Sequence, residues 1–174
     1  MYPKRLLAIL ISSFVLPMAW QATAQPRATS SDSTSEHVGA LVDSWHAAAG
    51  AADADTYFGL MAEDAVYIGT EAGERWTKPE FVEFGKPYFD RGSAWDFTST
   101  TRHVYLSDDG QIAWFEELLD TWMGVCAGSG VLQKTDEGWR IKHYHLSVTV
   151  PNALINEFIE MVKTGSAMDE PHDG

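Results

Sequence analysis

The segment Trp139–Asn152, "WRIKHYHLSVTVPN", limits the fold more than any other part of the chain. It reads as one long β-strand, ended by Pro151, whose ring removes the backbone N–H that a ladder needs. Strand side chains alternate between two faces. On strict alternation Trp139, Ile141, His143, His145, Ser147 and Thr149 share one face, and Arg140, Lys142, Tyr144, Leu146, Val148 and Val150 share the other. Arg140 and Lys142 seek water while Trp139 and Ile141 seek a core. His143 and His145 are therefore expected to point inward, above an apolar floor. The "Y-L-V-V" positions are expected to lie outside, as a dimer interface or under a C-terminal helix.

Three further β-like segments precede this one, at Trp95–Ser107, Ile112–Met123 and Gly128–Lys134. "SDDG" at Ser107–Gly110 and "DEG" at Asp136–Gly138 are turns between them. "AVYIG", Ala65–Gly69, is a shorter strand. Helices come first in the chain. Ser33 with Glu36 can cap one that carries Val38, Leu41, Val42, Trp45 and Ala49 on one face and stops at Gly50. Asp53 can cap a short second helix, and Thr77 with Glu80 a third that ends near Gly92. Asn152 can cap a terminal helix with Leu154, Ile155, Phe158 and Val162 on one side. Helices followed by a run of long antiparallel strands is an α+β order. A strongly bent sheet wrapped around N-terminal helices leaves a cone with an open mouth, which suits a small ligand.

The ends read differently. Lys4 and Arg5, the apolar run Leu6–Leu16 and the A-x-A pattern Ala22–Ala24 are expected to form a signal peptide over residues 1–24. The apolar run falls short of the about 20 residues a membrane span requires, so no membrane contact is expected after cleavage. Residues 25–34 read as a flexible linker, 35–164 as the domain and 165–174 as a frayed tail. The expected location is periplasmic or secreted. Loss of Lys4 and Arg5 takes the formal charge from −13 to −15. Such a surface repels phosphate backbones, so nucleic acid is not an expected partner. The single Cys126 cannot form an internal disulfide. It is either buried or free for a bridge between chains.

"WHAAAGAADADTYFGLMAEDAVYIGTEAGERWTKPEF", "AWFEELLDTWMGVCAGSGVL" and "WRIKHYHLSVTVPN" together resemble the SnoaL-like branch of the NTF2-like superfamily, over about Val38–Asn152. The resemblance implies a cone-shaped, cystatin-like α+β fold and homodimers formed through the open sheet face. It also implies a range of roles, from cyclases, dehydratases and ketosteroid isomerase relatives to binding and assembly modules. It carries over no catalytic residue.

The chemistry-bearing residues keep three readings open. His143 and His145 lie about 6–7 Å apart along the strand, close enough to chelate a metal. A third donor from Glu116, Glu117, Asp120 or His103 would be needed, and no clustered motif supplies it, so no metal and no cofactor is expected. Glu116 and Asp120 share one face of the Ile112–Met123 strand and Glu117 the other. A carboxylate on whichever face looks inward, among aromatics, is expected to have a raised pKa. The candidate pairing is Glu117 with His145 or His143, as the acid/base of an isomerase, cyclase or dehydratase. The leading expectation is a binding pocket for a small, largely apolar molecule, lined by Trp45, Tyr67, Trp76, His143 and His145. The third is an assembly module filled by its own aromatics. His46 is expected at the pocket rim, and Arg75, in "YIGTEAGERW", either pairs locally or clamps an acidic ligand.

Overall fold

The computed structural model describes residues 30–92 and 94–168. The expected signal peptide, residues 25–29 of the linker and residues 169–174 of the tail lie outside them. Helix α1, Ser30–Gly50, starts inside the expected linker, earlier than the Ser33–Glu36 capping box would place it. Asp32 in its first turn favours that longer start, since a carboxylate there meets the positive end of the helix dipole. Helix α2, Ala54–Gly59, follows, with the side chain of Asp53 accepting from Thr56 N. Strand β1 is Met61–Ile68, and a three-residue strand β2, Arg75–Thr77, lies where the sequence reads as loop. Helix α3, Lys78–Asp90, opens on the expected Thr77–Glu80 capping box, with Pro79 in the first turn.

The long strands then follow: β3 Thr98–Leu106, β4 Ile112–Thr121, β5 Gly124–Thr135 and β6 Gly138–Val148. A single 3-10 turn at Asn152–Leu154 leads into α4, Ile155–Met168. Gly165 does not stop this helix; one helical glycine costs about 1 kcal/mol, which a formed helix tolerates. The six strands make one curved, unclosed sheet in the order β2-β1-β6-β5-β4-β3. Strands β3 to β6 are antiparallel, as the sequence suggests. Strand β1 lies parallel to β6, so the sheet is mixed. The connection from β1 to β6 passes through a helix and four strands, and it leaves their relative direction free.

The inner face of the sheet and helices α1 to α3 enclose a core dominated by rings. Trp45 is fully buried, stacks on Tyr57 with ring centroids 4.8 Å apart, and donates from Nε1 to Tyr57 O at 3.1 Å. Tyr67 stacks on Phe81 at 4.0 Å. Phe115, Tyr144 and Trp139 close the sheet side.

Strict alternation fails in β6. Val131 of β5 opposes His143 but the next residue, Leu132, opposes Ile141, so Lys142 is an extra residue. Such a bulge moves every later side chain to the other face. Trp139 and Ile141 point inward as expected, but beyond Lys142 it is Tyr144 and Leu146 that are buried. His143 is half-buried and His145 exposed, on the outer face. The expected inward direction of the two histidines, and the outward one of Tyr144 and Leu146, are both corrected by this one residue. Lys142 itself forms an ion pair with Asp64 of β1. The signal was present in the spacing of the apolar residues, Trp139, Ile141, Tyr144 and Leu146. The step of three in the middle is out of phase with a regular strand.

Strand β5 carries Gly128 and Gly130 at its centre. A Cβ on Gly130 would lie 2.6 Å from Phe115 and 2.9 Å from the carbonyl oxygen of His143. One on Gly128 would collide with the Tyr144 hydroxyl and sit 2.9 Å from Glu117 Oε1. Gly128→Ala is therefore expected to destabilise the fold by about 1–3 kcal/mol through overpacking, read as a lower urea midpoint with unchanged slope. An unchanged midpoint would mean that the side chains above β5 have room to spare.

Candidate functional site

Two places in the structure concentrate chemistry. The first is buried. Arg102 of β3 and Glu117 of β4 are direct cross-strand partners on the inner face. The guanidinium donates to Glu117 Oε2 through Nε at 2.9 Å and Nη2 at 2.7 Å, a two-pronged pair. Its Nη1 donates to Gly39 O at 2.9 Å and to Asp43 Oδ1, both on α1. Glu117 Oε1 lies 2.8 Å from His46 Nε2 and accepts from the Tyr144 hydroxyl at 3.0 Å. The carboxylate has no exposed side-chain surface.

Burial alone pushes the Glu117 carboxyl up. The hydrogen bond and charge of His46, then the charge and hydrogen bonds of Arg102, together outweigh burial and hold it below its ordinary range. The expected raised value is thus corrected, and so is the expected partner. Glu117 bonds His46, not His145, because the bulge sends His145 to the other side of the sheet. His46 is correspondingly buried within the core rather than at a rim. Tyr144 is pushed well up, first by burial and then by the charge of Glu117.

The second place is the cone mouth. A cavity of about 210 Å³ is walled by rings and apolar side chains, among them Tyr67, Trp76, Phe84, Tyr88, Trp95 and Trp122. Glu74 and Thr70 supply its polar edge. Helix α3 presents Phe84 and Tyr88 one turn apart, and Trp76 stacks on Phe84 at 4.5 Å. The capping box at Thr77 fixes where α3 begins and hence where these rings stand. Of the expected lining residues, Tyr67 and Trp76 border this cavity. Trp45 lies deeper, as core, because its indole is committed to Tyr57 and Tyr144. Arg75 is exposed on β2, outside the cavity.

On the outer face the register sets His103, Glu116, Ser129 and His145 in a row across four strands. His145 Nε2 is 3.3 Å from Ser147 Oγ. The neighbouring His143 has its pKa lowered, by partial burial first and then by His145 and Arg75. Among the described residues no three His, Cys, Asp or Glu side chains converge as a metal site. No helix there is long and apolar enough to cross a membrane.

A helical layer inside a bent, unclosed sheet with an aromatic mouth defines an α+β cone of the NTF2-like kind. The sequence matches the family model of the SnoaL-like domain over residues 38–151, and the chain belongs to that family. Solved structures of the same fold include an NTF2-like protein of unknown function from Pseudomonas putida KT2440. It is 14% identical, covers 69% of this chain and 89% of its own, with a TM-score of 0.58. The association domain of C. elegans CaMKII is 19% identical over 68% and 98%, at 0.56. A protein of unknown function with a cystatin-like fold from Nostoc punctiforme PCC 73102 is 14% identical over 70% and 93%, at 0.55. No curated protein matches the sequence.

A depressed carboxylate stabilises the folded state above its ordinary pKa, near 4.5, and that contribution is lost as pH falls through the lower folded value. Glu117→Gln is expected to cost about 3 kcal/mol near neutral pH, since it leaves the Arg102 charge buried without its main partner. It is also expected to flatten the acid limb of stability below that pH. Thermal melts of both forms across the acid range check this; parallel curves would show that Glu117 does not set the limb.

Proposed function

We propose that this protein binds a small, flat, largely apolar molecule at the cone mouth and performs no chemistry on it. The observation that carries this reading is the aromatic cavity itself, open to solvent on one side and walled by stacked rings. Such walls favour planar ligands through offset stacking. Pockets for drug-sized ligands run to roughly 300–1,000 Å³; the smaller volume here suits a ligand of one or two fused rings. Glu74 and Thr70 at the edge would accept from a ligand hydroxyl or amine.

The acid/base alternative finds less support. Glu117 has both oxygens engaged by four donors and no surface through which to meet a substrate. His143 and His145 face away from the cavity. Export by a cleaved signal peptide and self-association remain part of the proposal. The first is supported by the pattern of residues 1–24, the second by the exposed apolar side chains described below.

Calorimetric titration with 2-naphthol, a neutral two-ring probe, tests the reading. Saturable binding is expected, weakened roughly tenfold or more by Trp76→Ala, which removes a stacked ring from the wall. His145→Ala is expected to leave binding unchanged. Absence of saturable heat, or equal loss in both variants, would contradict a site at the mouth.

A further inference from the structure

Helix α4 presents six large apolar side chains to solvent: Leu154 just before it, then Ile155, Phe158, Ile159, Met161 and Val162. At 100° per residue these fall within roughly 160° of the helix circumference. Asn156, Glu157, Glu160, Lys163 and Thr164 take the opposite side. Helices in water gain most of their stability by packing such a face, not by propensity. Among the described residues nothing covers it.

The cone mouth has the matching deficit. Trp122, on the β4–β5 turn, is 83% exposed although it borders the cavity. Phe84 is exposed beside it, as is Val148, whose register opposite the buried Cys126 turns it to the inner side of the rim. The helix departs from this same rim. Thr149 anchors the end of β6 with two hydrogen bonds to Val125 O, from N at 3.2 Å and from Oγ1 at 2.6 Å. Pro151 and the Leu154 N to Pro151 O bond then set the direction of the helix. Covering it with a second molecule needs no change at this junction, whereas folding it back onto its own mouth does.

We propose that α4 is an exchanged arm: in a two-fold dimer of this chain, the apolar face of each α4 lies over the cone mouth of the other copy and completes the wall of its cavity. A two-fold axis near the rim suffices, since each helix starts at its own mouth and crosses only to the adjacent one. A stable interface takes about 800 Å² from each partner, and two helix faces with two aromatic mouths, contributed reciprocally, are surfaces on that scale. The outer sheet face also exposes Tyr105, Trp114, Leu118 and Val125. The row His103, Glu116, Ser129 and His145 runs between Trp114 and Leu118 and divides that apolar surface, which makes it a poorer receptor for this helix. A lipid surface is a poorer one too: a membrane-surface helix carries Lys and Arg on its polar face, whereas this one carries Glu157, Glu160 and a single Lys163. The exchange does not depend on whether the cavity holds a ligand.

Cross-linking combined with sedimentation tests it. Ile159→Cys and Trp122→Cys are made in separate chains, mixed, and treated with a short bis-maleimide; both positions are exposed, and native Cys126 is buried. A dimer in sedimentation and a cross-link joining the two unlike chains are expected. Phe158→Glu, at an exposed position that does not threaten folding, is expected to weaken the dimer roughly 100-fold, since each copy contributes one such anchor. Four results would overturn the proposal: a wild-type monomer, a cross-link that forms only when Ile159→Cys and Trp122→Cys are placed together in one chain and stays within it, linkage of Ile159→Cys to Leu118→Cys on the outer face instead, or a dimer indifferent to Phe158→Glu. Flotation of the monomer with lipid vesicles would likewise replace it. Ligand titration of the Phe158→Glu monomer keeps the two proposals apart, because binding of 2-naphthol there shows the cavity to be a site whatever covers it.

Discussion

The carboxylate of Glu117 is the point on which the inner face of this molecule depends. A buried charge is tolerated only when its lone pairs are filled and its sign is balanced. Here four donors from three elements converge on it. Arg102 comes from the neighbouring strand, Tyr144 from β6 and His46 from α1. Arg102 also reaches Gly39 O and Asp43 on α1. The network therefore clamps the first helix against the sheet at one relative position, where apolar packing alone would allow sliding. Gly128 and Gly130 follow from the same requirement, since the ring and carboxylate layer rests directly on their backbone.

The same clamp separates structure from function. On the inner face the groups that could move protons, Glu117, His46 and Tyr144, are engaged in holding the fold, and the mouth is left with rings and a single carboxylate at its edge. An aromatic cavity with an exposed rim and an uncovered amphipathic helix leaving that rim are physically linked features. Both expose apolar surface to water, and each has the shape to relieve the other.

Much of the fold was legible in the sequence because it rests on local signals. The Asp53 cap, the Thr77–Glu80 capping box and the Pro151 stop each act within one turn or strand end, and each lies where the sequence places it. The antiparallel run from Trp95 to Val148 was legible from composition and turns. The candidate site was legible only in part. Tyr67 and Trp76 border the cavity as expected, but the inner face of β4 was not legible, and His46, Arg102 and Tyr144, the partners of Glu117, come from 71, 15 and 27 residues away. No spacing rule joins them. The two histidines that dominate the last strand by eye stand on the far face, through one extra residue at Lys142.

By itself the sequence determined the α+β order, the number of long strands, the starts of α2 and α3 and the family, because propensity, capping and turn chemistry are short-range. Only the tertiary structure decided which face of β6 looks inward, which side chain neutralises Glu117, and that Trp45 is core rather than pocket wall. Register in a sheet is settled by the pairing of strands, and a single bulge reverses everything beyond it. Information of that kind resides in the contact between two strands and not in either one alone.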